Sequence, residues 1–205
     1  MTPLILVHGT WGRQAAWHQP GSALWRALEA RGFTVIEFKW SGYCGGVPGP
    51  VIVPKTSDIK PSLELWRSEG EKLGLFCRVL GIERPWVVCH SHGLQVVACA
   101  AAADIAPQDF GTVLSLSGPV RADMERIRAV ARRAIAYWIQ VTDPTDDDRL
   151  ILEGEAFDGH VGWTHQLPEA DLNLEAPGQG HSGLLTNLAA WESRTLNLWS
   201  ALAPR

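Results

Sequence analysis

Pro85-Trp86-Val87-Val88-Cys89-His90-Ser91-His92-Gly93-Leu94 is the stretch that decides the fold. Its first half is a short, continuously apolar run suited to a strand buried on both faces, and the Ala-rich segment Gly93 to Ala103 that follows reads as a helix. Almost nothing separates the two, so the chain must pass from strand to helix through a sharp corner, with Ser91 on it. Upstream, Leu4-Ile5-Leu6-Val7 is a second apolar run of branched residues ended by His8-Gly9. Gly21 to Ala30 places Leu24, Trp25 and Leu28 on one helical stripe closed by Gly32, and Phe33 to Phe38 is a further strand. The Gly/Pro-rich stretch Ser41 to Pro61 predicts a long loop, and Ser62 can cap a helix running to Gly81. Downstream, Thr112 to Leu116 and Ala136 to Val141 read as strands around a helix over Arg121 to Ala134. Asp171 to Glu175 alternates like an edge strand, and Leu184 to Leu202 reads as one closing helix. Strands alternating with helices at this spacing build βαβ units. The expected architecture is a single α/β domain over residues 1–205. It is a three-layer sandwich with a mostly parallel sheet of about six strands and helices on both faces.

Composition narrows the function. With 46% hydrophobic and 20% charged residues, the 205-residue chain has the balance of an ordinary globular domain. The net charge of −4 is dispersed, with no Lys/Arg stripe to neutralise a phosphate backbone, which argues against a nucleic-acid partner. Met1-Thr2-Pro3 leads straight into the first apolar run without the basic start and cleavage site of a secretory signal, and no apolar run approaches membrane-spanning length. A cytoplasmic location is therefore expected. Cys44, Cys77, Cys89 and Cys99 show no metal-site spacing and are read as reduced thiols. His90 and His92, neighbours in a tight turn, point apart and have no carboxylate or cysteine cluster to complete a metal site. No metal or cofactor is expected.

The Cys89 to Leu94 corner resembles the nucleophile elbow of α/β-hydrolases, with Cys89 standing where the pattern usually has its first glycine. Leu6-Val7-His8-Gly9-Thr10-Trp11-Gly12 resembles the oxyanion loop after the first central strand in esterases and lipases of that fold. The resemblance implies that Ser91 is the nucleophile and that the amides of Thr10 and His92 receive the oxyanion. A serine hydroxyl needs a base held by an acid. His181, in the loop Pro177-Gly178-Gln179-Gly180-His181-Ser182-Gly183, falls where the family's order of nucleophile, acid and histidine places the base. The acid belongs to the loop after Val141, which offers Asp143, Asp146, Asp147 and Asp148. Asp148 is preferred because Asp148-Arg149-Leu150-Ile151 fits the family's habit of an acid followed by one variable residue and then apolar ones, and Asp143 is the reserve.

With one short helix between the fourth and fifth strands, no inserted cap domain is expected. The site walls would come from Trp11, Trp17, Tyr43 and Trp163, an aromatic rim suited to small-molecule or lipid-like acyl esters. The function implied is an esterase- or lipase-like serine hydrolase acting through an acyl-enzyme. An acyltransferase, a thioesterase or amidase on the same residues, or a non-catalytic binding protein of the same fold, are the alternatives. Oligomeric state cannot be read from the sequence.

Overall fold

The computed structural model describes residues 1–10, 12–42, 63–105, 107–144 and 166–203. The strands among them are β1 (Thr2–Val7), β2 (Phe33–Phe38), β3 (Trp86–His90), β4 (Phe110–Leu116), β5 (Ile135–Thr142) and β6 (Leu172–Glu175). They form one sheet in the order β2-β1-β3-β4-β5-β6, and every neighbouring pair is parallel. The helices are α1 (Ala23–Glu29), α2 (Leu63–Val79), α3 (Gly93–Ala101) and α4 (Glu125–Ala131), followed by two short turns of helix, Leu188–Trp191 and Leu198–Ala201.

The sheet separates two cores, and the two-residue side-chain period of the strands decides which residue enters which. Ile5, Val7, Val87, Cys89 and Val113 face the core that Trp66 and Leu73 of α2, Leu94 and Val97 of α3 and Ala131 of α4 complete. Leu4, Leu6, Val88, Leu114, Ile139 and Val141 face the other, closed by Leu24 and Leu28 of α1 and by Leu184, Trp191, Leu198 and Leu202. Both faces are covered, which is why β1 and β3 carry unbroken apolar runs. On the first face α2 lies directly on α3: a Cβ at Gly70 would come within 2.6 Å of Cys99 Cβ and 2.7 Å of the Ala100 nitrogen.

Two helices depart from the sequence reading. The helix expected over Arg121 to Ala134 is regular only from Glu125 to Ala131, after a tight turn of 3₁₀ helix at Ala122–Met124. The single helix expected over Leu184 to Leu202 is broken twice. Asn187 Oδ1 accepts the Ala190 amide at 3.4 Å, Ser193 Oγ accepts the Leu196 amide at 3.3 Å, and Asn197 takes a left-handed φ of 41°. These short polar side chains offer the backbone local partners that compete with a continuous helix.

Because all six strands run the same way, the segments that follow them gather at one edge of the sheet. Beyond β1 the chain turns toward β2, and beyond β3 it turns toward β4, so β1 and β3 flank the point where the winding reverses. Parallel sheets place their ligands in the crevice at such a point. Among the described residues no helix is long and apolar enough to cross a membrane.

Candidate active site

Ser91 occupies the corner between β3 and α3 with φ 51°, a left-handed conformation costly for a residue with a Cβ. The corner is held by hydrogen bonds on both sides: the Ser91 amide donates to the Leu116 carbonyl at 3.0 Å, and the Leu94 amide donates to the Ser91 carbonyl at 3.0 Å. Two glycines make it possible. A Cβ at Gly93 would lie 2.7 Å from the Val7 carbonyl oxygen and 2.8 Å from that of His8, so only glycine lets α3 begin against the end of β1. A Cβ at Gly9 would lie 2.7 Å from the Ser91 Cβ, so the loop after β1 passes directly over the serine. Cys89, where the family pattern has a glycine, is fully buried between strand and helices. Burial pushes its thiol up to about 12, partly offset by a hydrogen bond with Ser115, so it stays protonated and does not compete with Ser91.

The loop after β1 folds into a turn closed by the Gly12 amide donating to the Gly9 carbonyl at 3.0 Å. His8 Nδ1 donates to that same carbonyl at 2.7 Å, and Trp40 Nε1 donates to the His8 carbonyl at 2.6 Å. Burial holds His8 down at about 4, so the ring is neutral at physiological pH. Thr10, within the turn, is tied to the elbow through a 2.6 Å hydrogen bond between its Oγ1 and His92 Nδ1. The two residues whose amides were expected to face the oxyanion are thus joined side chain to side chain.

The histidine loop reaches the same place. His90 Nε2 donates to the His181 carbonyl at 3.0 Å, and the two imidazole centroids are 4.8 Å apart. Burial, with the neighbouring His181 second, holds His90 down at about 3; it is a neutral donor whose proton sits on Nε2. The loop after β6 turns through Gly178 at φ 79° and Gly180 at φ 59°, conformations that favour glycine. Its carboxylate anchor is Asp143, at the end of β5: Asp143 Oδ2 accepts the Gly180 amide at 2.6 Å, and Asp143 is only 3% exposed.

The structure therefore brings together Ser91, His181, Thr10 and His92 from the sequence expectation. Asp148, Trp11, Tyr43 and Trp163 lie outside the described residues. Asp143, the reserve acid, is the described carboxylate that meets the histidine loop. Trp17 is buried in the second core and stands edge-on to His90 at 6.2 Å. Trp66, on the apolar side of α2, was not among the expected site residues, yet its ring stacks on His92 at 5.2 Å, and the Arg121 guanidinium lies 5.1 Å from the centre of the same indole. Nothing in the helical pattern separates such a residue from ordinary core. Among the described residues, no group of three or more His, Cys, Asp or Glu side chains could hold a metal ion.

Several solved structures share this architecture. A predicted CIB-like hydrolase from Thermoplasma acidophilum superposes with a TM-score of 0.60 at 14% identity, covering 98% of this chain and 87% of the other. The alpha/beta hydrolase MGS-MChE2, from a sediment metagenome of the Mar Chica lagoon, gives 0.56 at 15% identity, with 98% and 90% covered. A carboxylesterase of the thaumarchaeon Nitrososphaera gargenis gives 0.53 at 15% identity, with 98% and 88% covered. At such identities the likeness is one of fold. No curated protein matches the chain. Residues 4–203 do match the Alpha/beta hydrolase family across almost the whole length, and by that match, on this sheet, the chain belongs to the α/β hydrolases.

Proposed function

We propose that this chain is a serine hydrolase that cleaves carboxylic esters through an acyl-enzyme. The observation that carries the reading is Ser91 at a positive φ on the strand-to-helix corner, with the His181 backbone hydrogen-bonded to the residue beside it. A strained conformation at a buried polar corner persists only when its surroundings enforce it, and such strain concentrates at functional sites. In this reading Ser91 Oγ attacks the ester carbonyl carbon while its proton passes to His181. The oxyanion is received by the amides of Thr10 and His92, and the proton then leaves with the alcohol from His181. Water, activated in turn by His181, repeats the attack on the acyl-enzyme and frees the acid and Ser91. We assign the orienting acid to Asp143, on the strength of its 2.6 Å contact with the amide next to His181. The apolar ring of Trp17 beside His90 supports small or lipid-like acyl groups over charged ones. The free thiols of Cys77, Cys89 and Cys99 suit the reducing cytoplasm.

The test is labelling with a fluorophosphonate probe alongside turnover of p-nitrophenyl esters of graded chain length. Native protein should label once and hydrolyse the esters. Ser91→Ala should lose the label and on the order of 10⁴- to 10⁶-fold of the turnover. A native protein that neither labels nor hydrolyses would overturn the reading in favour of a non-catalytic binding protein on this fold. Transfer of the acyl group to an added alcohol in preference to water would move it to an acyltransferase.

A further inference from the structure

Behind the turn that carries Thr10 lies a buried histidine–glutamate pair that the steps above leave unused. His18, at the end of the short helical turn Ala16–His18, is wholly buried, and its Nδ1 lies 2.6 Å from Glu37 Oε1 on β2. The other Glu37 oxygen is 3.1 Å from Lys39 Nζ. On the opposite side of the ring, His18 Nε2 donates to the Gly12 carbonyl at 2.8 Å. That carbonyl also accepts the Ala15 amide at 2.8 Å, while the Gly12 amide closes the turn onto Gly9. The ring is further fixed by stacking: His8 lies between His18, at 5.1 Å, and Trp40, at 5.4 Å, with interplanar angles of 25° and 10°.

Burying such a pair costs desolvation that an apolar side chain of similar volume would avoid, so packing alone gives no reason for it. What the pair supplies and an apolar residue cannot is a directed donor on one backbone carbonyl, that of the residue closing the turn. An oxyanion hole works only if its amides are fixed before the charge develops, to within a fraction of an ångström. Resting on the serine-hydrolase reading above, we infer that His18, braced by Glu37, is a positioning residue of the oxyanion hole. It clamps the Gly12 carbonyl and thereby aims the Thr10 amide. The pair touches no reacting atom and acts through the backbone of the turn.

His18→Leu removes the clamp while keeping an apolar side chain in the space. Glu37→Gln is the milder companion, removing the charge but keeping the shape. Both are compared with native protein for p-nitrophenyl ester kinetics, with active sites counted by fluorophosphonate titration, and for inhibition by a trifluoromethyl ketone, which forms a tetrahedral oxyanion adduct on serine. The expected result for His18→Leu is a 10- to 100-fold fall in kcat per titrated site, with KM within about threefold of native and ketone affinity weakened in step with kcat/KM. Glu37→Gln should follow the same pattern at 3- to 10-fold, and it alone decides if His18→Leu does not fold. His18→Gln, whose side-chain amide can donate to Gly12, should recover part of the loss. A purely structural role would lower the melting temperature and the number of titratable sites but leave kcat per site and ketone affinity unchanged. That result in a variant of an active native enzyme would overturn the inference alone. A native protein that does not label would overturn the serine-hydrolase reading, and the inference with it.

Discussion

Ser91, at φ 51°, depends on two glycines, Gly9 in the loop that passes over it from β1 and Gly93 where α3 starts against the end of β1, so its strain is imposed by close approaches that leave no room for a Cβ. Gly93→Ala should show this directly. The added methyl has two backbone carbonyl oxygens within 2.8 Å and no flexible side chain to displace, so α3 must move off β1. A stability loss of about 1–3 kcal/mol by urea unfolding and a sharp fall in ester turnover are expected; an unchanged kcat would show that the corner tolerates a Cβ. The proposed choice of acid also belongs to this scale. Ser91 and His181 could be put forward from the sequence because each sits in a short local motif. Four aspartates in six residues offered no local distinction, and the contact that singles out Asp143 joins it to Gly180, 37 positions away. Pattern matching beyond the strand favoured Asp148, whereas the end of the strand is where a side chain is held most firmly. Asp143→Asn should lower kcat by as much as ~10⁴-fold by leaving the imidazole in the wrong tautomer. Asp148→Asn should stay within about threefold, and the reverse ranking in the same ester assay would return the role to Asp148.

Elements were readable wherever one periodicity ruled a segment. β2 falls at Phe33–Phe38 as expected, and α2 runs over Leu63–Val79 despite the poor helix propensity of Gly70 and Gly74 within it. Gly70 is where α2 crosses α3, with Cys99 Cβ and the Ala100 nitrogen too near to admit a methyl group. Propensity alone says that Gly70→Ala should stabilise the helix by about 1 kcal/mol; packing says that it should destabilise the protein by about 1–3 kcal/mol as the helices are forced apart. Packing should win, because the obstruction is partly backbone, and a higher urea midpoint in Gly70→Ala would refute that. The C-terminal segment failed as one helix for the converse reason. Leu184, Trp191, Leu198 and Leu202 keep a spacing that puts them all in the second core, so the apolar pattern persists while Asn187, Ser193 and Asn197 break the backbone between them.

At the scale of the whole molecule, the parallel sheet was legible because strands buried on both faces must be apolar throughout, whereas the burial of so many histidines at one sheet edge was not. His18 and His8 are wholly buried, and His90 and His92 are nearly so. Two of these rings, His8 and His90, store a pH dependence. His8 is held down at about 4 and His90 at about 3, chiefly by burial, while the unfolded chain takes up these protons near 6.5. Below pH 6.5 the unfolded state therefore binds protons that the folded state refuses, and stability falls with pH until about 4 for His8 and about 3 for His90. Carboxylates add to the same acid slope, so the histidine part must be isolated by substitution. His90→Gln keeps a side-chain donor for the His181 carbonyl but cannot titrate. Its unfolding free energy, from urea curves between pH 6.5 and 4, should decline less steeply than that of the native protein, by up to about 1.4 kcal/mol per pH unit, the limit for one proton. Parallel slopes would mean that His90 takes up its proton as readily folded as unfolded, and that the sheet edge beside Ser91 is open to water.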